Sequence, residues 1–245
     1  MQGEEQASGR DEEFFAFCAP RFHRPGAAQY AQLTERLCRS FAEYPEFRYT
    51  DSRFLDFLFY LIVGFHSRAP GARVYSLSPQ LEEAALWHVS SDFSSPYGSG
   101  GIAARIPGLP FRFLRSLPLQ LKRANREIFR ENRRVDARIR RLGLPKRFVK
   151  LEILMVVPER RGEGRGRALL LPVLELASEA ELPVVLVTHT PGNRAMYERY
   201  GFVTADVEEG AAGSSSAIMV RPPGEVPGKG PTEVPIEMPI EDPGA

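Results

Sequence analysis

The chain has 245 residues, 43% of them apolar and 26% charged, which suits one domain with a sizeable core. A formal net charge of +1 lacks the basic footprint of a nucleic-acid binder. Two cysteines, Cys18 and Cys38, are too few for a disulfide framework and do not stand at metal-ligand spacing.

Residues 1–13 are polar and acidic, which predicts a disordered leader rather than a secretion signal. From Ala27 to Tyr44, Tyr30, Leu33, Leu37 and Phe41 recur at helical spacing, and Pro45 stops the run. A second helix is expected from about Asp51 to Phe65, capped by Asp51 or Ser52. Its apolar run is too short to span a bilayer, and Asp56 interrupts it. Arg73–Leu77 and Ala84–Val89 read as neighbouring strands. Trp87 and His88 lie in the second, and a lone strand histidine reads first as a packed or hydrogen-bonded residue. Ser90–Gly101 is a Ser, Gly and Pro-rich loop. Leu109–Leu142 is largely helical by pattern, with Arg126, Arg130, Arg134, Arg138 and Arg141 among its basic residues. That basic side reads as a solvated face, or as a docking surface for an acidic partner.

The central stretch runs from Phe148 to Leu171. An apolar, strand-like run from Leu151 to Val157 ends at Pro158, and a turn with Gly162, Gly164 and Gly166 leads into a helix from about Gly164 to Ala180. That helix has Pro172 early in its course. Leu182–Thr188 is the next strand, and a right-handed crossover makes it parallel to the first. A short helix at Gly192–Tyr200 and a hairpin, Val203–Val207 with Ser216–Val220, complete one domain over 14–221. From 222 to 245 proline recurs every fourth residue, which predicts an extended, disordered tail.

Glycines spaced by one residue leave backbone N–H groups uncovered, and the following helix aims its positive end at them, so the turn suits phosphate or pyrophosphate. The Walker pattern needs Gly-Lys-Ser/Thr where this chain has Gly166-Arg167-Ala168. The Rossmann pattern needs an acid at a later strand tip, whereas Glu179 and Glu181 fall in or near the end of the helix.

Two motifs carry a family resemblance. Arg161, Gly164 and Gly166, preceded by Pro158-Glu159, fit Arg/Gln-x-x-Gly-x-Gly/Ala, and downstream stand Asn193, Tyr197-Glu198 and Gly201-Phe202. Together they resemble the two signatures of the GCN5-related N-acetyltransferases (GNAT). Phe148 to about Val207 is similar to the branch containing puromycin N-acetyltransferase, and Ala28–Val89 more weakly. The resemblance implies an α/β (α+β) fold. Its sheet would be mixed, mostly antiparallel and twisted, with a central splayed parallel strand pair, flanked by helices.

It also implies acetyl-CoA (coenzyme A) as cofactor and no metal. The backbone of Gly162, Glu163, Gly164, Arg165 and Gly166 would hold the phosphates, with charge from Arg161, Arg165 or Arg167. Glu163 would turn its carboxylate to solvent. Leu154, Met155 and Val156 would offer main-chain groups to the pantetheine arm, and Asn193 would meet the cofactor while capping its helix. Tyr197 fills the family's position for a proton donor to the leaving thiolate.

Removing a proton from an amine of pKa about 10.4 at pH 7 costs roughly 4–5 kcal/mol, so a base is expected. Glu152 is the one acid inside the apolar strand. Strand alternation gives it the face of Leu154 and Val156, and burial would raise its pKa. The other reading is a strand-end acid facing water. The puromycin branch carries a glutamate where this chain has Val187, and His189, two positions on, either takes over or only caps the strand.

The activity so implied is direct acetyl transfer to a primary amine of a small molecule, in the cytoplasm, by a monomer or homodimer, with no nucleic acid or membrane as partner. A coenzyme A-binding module with weak or no catalysis, and a protein or peptide N-acetyltransferase, are the alternatives.

Overall fold

The computed structural model describes residues 14–16, 18–42, 52–67, 71–90, 130, 132–209 and 215–224. The predicted leader, the loop over 91–101, the basic run up to 129, the hairpin tip and the proline tail beyond 224 lie outside them.

Helix α1 (Tyr30–Phe41) follows a short 3-10 turn, and buries Tyr30, Leu33, Thr34, Leu37 and Ser40 along one stripe. Helix α2 (Ser52–His66) packs beside it. Strands β1 (Ala72–Tyr75) and β2 (Glu83–Ser90) pair antiparallel, as expected. Helix α3 spans 132–141. Strand β3 (Phe148–Val156) leads through the glycine turn to α4 (Arg165–Glu179), then β4 (Val184–Thr188). Helix α5 (Pro191–Glu198) precedes the hairpin of β5 (Val203–Glu209) and β6 (Ser215–Arg221). Thr190, not Asn193 as the sequence suggested, caps α5: its hydroxyl accepts from the Asn193 amide at 3.2 Å, and Pro191 opens the helix at the position where a missing N–H costs nothing.

The six strands form one sheet in the order β1-β2-β3-β4-β6-β5. Every pair is antiparallel except β3 with β4. That mixed sheet flanked by helices is the architecture the resemblance implied. On one face α4 buries Leu169, Leu170, Val173, Leu174 and Ala177 against Val149, Leu151, Val184 and Leu186. Each such leucine or valine contributes about 1.5–3 kcal/mol. On the other face α1 and α2 cover Leu86, Ile153 and Met155, and α3 covers Phe148, Val185 and Ile218 through Val135 and Ile139.

One irregularity governs the centre. Leu86 pairs with Ile153 and Trp87 with Leu151, so Glu152 is an extra residue, a β-bulge. Leu151 packs with α4, whereas Ile153 packs with α1 and α2. The bulge therefore switches the alternation that the sequence had suggested for Glu152, Leu154 and Val156. Parallel pairing of β3 with β4 also stops there, after Leu151 and Leu186. The two strands diverge beyond the bulge.

The basic helix differs from its solvated reading at one position. Arg138 is 5% exposed and donates to Asp206, Glu208 and Ser216, tying α3 to the hairpin. Among the described residues no helix is long and apolar enough to cross a membrane.

Candidate active site

Where β3 and β4 part, a cleft of about 680 Å³ opens, and the chain supplies its walls in four pieces. The end of β3 brings Leu154, Met155 and Val156. The glycine turn and first turn of α4 bring Arg161, Gly162, Gly164, Arg165, Gly166 and Arg167. Helix α5 brings Asn193, Met196 and Tyr197. Ser40 and Phe41, from the end of α1, are a contribution that the motifs did not announce.

The turn has the conformation its glycines suggest. Gly162 has φ +88° and Gly164, the residue before α4, has φ +79°, both in the left-handed region. The Arg161 amide donates to Pro158 O at 3.3 Å and the Ala168 amide to Gly164 O at 3.0 Å. Between them, the amides of Gly162 to Gly166 have no protein acceptor among the described residues. Open amides at a helix N-terminus form a cradle for an anion, and they fit the diphosphate of coenzyme A. Gly166 differs: it lies in the helix, and a Cβ there would meet Leu154 Cδ2 at 3.7 Å and Val156 Cγ2 at 3.8 Å, ordinary contact distances where α4 rests on β3.

The charged residues around the turn are largely occupied. Arg165 donates to Glu83 at 2.6 Å and to Glu163 at 3.0 Å. Arg160 pairs with Glu82 at 3.2 Å and with Glu163 at 3.5 Å. Glu163 is thus outward-facing, as expected, and held between two arginines that keep its carboxyl below the usual range, Arg165 foremost. Arg161 folds back, with Nε donating to Val156 O at 3.3 Å.

Deeper in the gap lies a smaller cavity of about 70 Å³, lined by Phe41, Glu152, Leu154, Val187, Thr188, His189, Asn193 and Tyr197 among others. Of the expected catalytic residues, Tyr197, Glu152 and His189 all border it. Tyr197 is 7% exposed, packed edge-on against Phe202. Its ring also borders the larger cleft. Thr188 is buried at the end of β4, and its hydroxyl has no protein partner among the described residues.

Glu152 is neither a water-facing acid nor an isolated one. Lys150 Nζ stands 2.8 Å and His88 Nδ1 3.3 Å from its Oε1. His66, at the end of α2, packs its ring against His88 at 6.1 Å. Burial pushes the Glu152 pKa up, but Lys150, His88 and His66 together outweigh it and leave the carboxyl below its ordinary range. This corrects the raised pKa expected from burial alone. The sequence hid the cluster because its members come from α2, β2 and β3. A lysine two residues before the glutamate was its only local sign. Among the described residues, no group of His, Cys, Asp and Glu is set to hold a metal.

Residues 136–221 match the family model of the acetyltransferase (GNAT) domain. Among solved structures, arylalkylamine N-acetyltransferase 2 from Aedes aegypti superposes with a TM-score of 0.52 at 14% identity, covering 83% of this chain and 99% of its own. An N-acetyltransferase from Staphylococcus aureus gives 0.51 at 11% identity, covering 81% and 98%. The Corynebacterium glutamicum protein described as histone acetyltransferase HPA2 and related acetyltransferase gives 0.51 at 19%, covering 83% and 96%. At these identities the likeness is one of fold. The cleft and its open turn thus lie on a GNAT fold, and residues 136–221, which supply most of the cleft, are the part that matches the acetyltransferase (GNAT) family model.

Proposed function

We propose that the protein is an acetyl-CoA-dependent N-acetyltransferase that moves the acetyl group directly to a primary amine of a small molecule. The observation that carries this reading is the row of unpartnered amides from Gly162 to Gly166 beside strands that part after Leu151. Acetyl-CoA supplies the thioester. The turn amides and the α4 N-terminus hold its diphosphate, with positive charge from Arg161 and Arg167 nearby. Leu154, Met155 and Val156 offer main-chain groups to the pantetheine arm, because β3 has no β4 partner there. Asn193 borders both cavities and meets the cofactor from α5.

The acceptor nitrogen must lose a proton and the leaving sulfur must gain one. Glu152 is kept anionic by Lys150 and His88, so it is available to take the proton, at the expense of weak basicity. His189 borders the same cavity and is the second candidate. Tyr197 gives its phenolic proton to the sulfur, whose basicity is similar. The likeness of Phe148–Val207 to the puromycin N-acetyltransferase branch favours a small-molecule amine over a peptide.

Acetyl-CoA should raise the melting temperature of the wild-type protein, and Gly164→Glu should abolish the rise by putting a charged side chain among the phosphate-binding amides. Release of free thiol over a panel of small amines and N-terminal peptides then identifies the acceptor class. A wild-type protein whose melting temperature ignores acetyl-CoA sinks the proposal. Binding without thiol release leaves a coenzyme A-binding module instead.

A further inference from the structure

A row of amides grips an anion well only if it keeps its shape before the anion arrives. Little packing holds the tip of this turn, where Arg161, Gly162, Glu163 and Gly164 are all exposed. One buried side chain reaches it. Glu83, the first residue of β2, is fully buried. Its Oε1 accepts from Ser76 Oγ and from the Leu77 amide, each at 3.0 Å. Its Oε2 accepts from Arg165 at 2.6 Å. The same guanidinium donates through Nε to Glu163 at 3.0 Å, so one planar fork spans the sheet interior and the tip of the turn.

The surrounding corner is pinned by the backbone of Glu82 and Glu83. Glu83 stands opposite Val156, the last residue of β3 and part of the cleft wall. The Val157 amide donates to Glu82 O at 2.8 Å. A buried carboxylate persists only when a cation and hydrogen bonds satisfy it, and Glu83 has both. That cation is Arg165, which the sequence had suggested as a phosphate ligand.

We propose that Glu83 is a positioning residue of the cofactor site: through Arg165 it holds the Gly162–Gly166 amides in their anion-ready array, and Arg165 acts as a tether rather than as a phosphate ligand. This rests on the acetyl-CoA reading above.

Two measurements on the full chain test it. The first is calorimetric titration with coenzyme A of the wild type, E83Q, R165Q and E83Q/R165Q. The second is amide hydrogen exchange of the 158–168 segment without ligand. Each single variant should weaken binding about tenfold, the usual scale for an outer-shell partner, and the double variant no more than either single. Exchange should be faster in all three at the hydrogen-bonded amides that flank the open row, Arg160, Arg161 and Ala168. E83Q binding as tightly as the wild type, or more tightly, overturns the proposal, because that is what an arginine freed to reach a phosphate would give. Losses that add in the double variant overturn it too. So does unchanged exchange in E83Q. If the wild type takes up no coenzyme A, the acetyl-CoA reading fails, and the exchange experiment alone decides the tether. If a single variant does not fold, the double variant, which buries no unpaired charge, carries both measurements.

Discussion

Lys150 Nζ lies 2.8 Å from Glu152 Oε1, with both side chains almost out of solvent contact and a gap in the sheet beside them. Removing one partner of a buried ion pair leaves the other unpaired, at a cost of about 3–5 kcal/mol. Glu152→Gln should therefore lower stability on that scale in chemical denaturation, as well as slow acetyl transfer. A variant as stable as the wild type would show that Lys150 reaches water when its partner is removed.

The same cluster predicts acid lability. Burial holds the His66 pKa below its ordinary 6.5, and Lys150, His88 and His66 hold Glu152 below its ordinary 4.5. A group depressed in the folded state stabilises the protein fully above its unfolded pKa, and that contribution is lost as pH falls. The melting temperature should thus begin to fall below about pH 6.5 and steepen below about 4.5. His66→Gln should remove the first stage and leave the second. A curve flat down to pH 5 in the wild type would rule out a buried neutral His66.

Two neighbouring glycines should respond in opposite senses. Gly164 is left-handed at φ +79°, so Gly164→Ala should cost about 1–2 kcal/mol although no atom stands in the way of its Cβ. Gly166 is in α4, with only ordinary contacts awaiting a Cβ, so Gly166→Ala should be neutral or stabilising by up to about 1 kcal/mol. Melting temperatures of the two variants check this, and an equal loss in both would contradict it.

Tyr197→Phe keeps the ring packed against Phe202 and removes the phenolic hydroxyl. If that proton goes to the leaving sulfur, kcat should fall about a hundredfold with KM little changed. Steady-state thiol release on the best acceptor measures both. A rise in KM alone would make Tyr197 a binding residue.

Arg138→Met should loosen the hairpin without touching the cleft. It removes hydrogen bonds to Asp206 at 2.6 Å, to Glu208 at 2.9 Å and to Ser216 at 2.6 and 3.1 Å. The expected loss is about 2–3 kcal/mol, because the acids it leaves behind can reach water. Urea midpoints give the number, and unchanged coenzyme A affinity separates this role from that of the turn.

The sequence by itself determined the local units and their order. Periodicity marked α1, β3, α4 and β4, because burial on one face or both leaves a pattern in neighbouring residues. The glycine spacing marked the turn, since only glycine is at ease at the left-handed backbone of Gly162 and Gly164. Only the tertiary structure decided what stands beside what. One extra residue at Glu152 switches the faces of β3, ends its pairing with β4, and puts the carboxylate with Lys150 and His88. Register likewise puts Glu83 under Arg165, a residue 82 positions away, and Arg138 under the last hairpin. A bulge and a long-range ion pair depend on how separate strands meet, and no local periodicity records that.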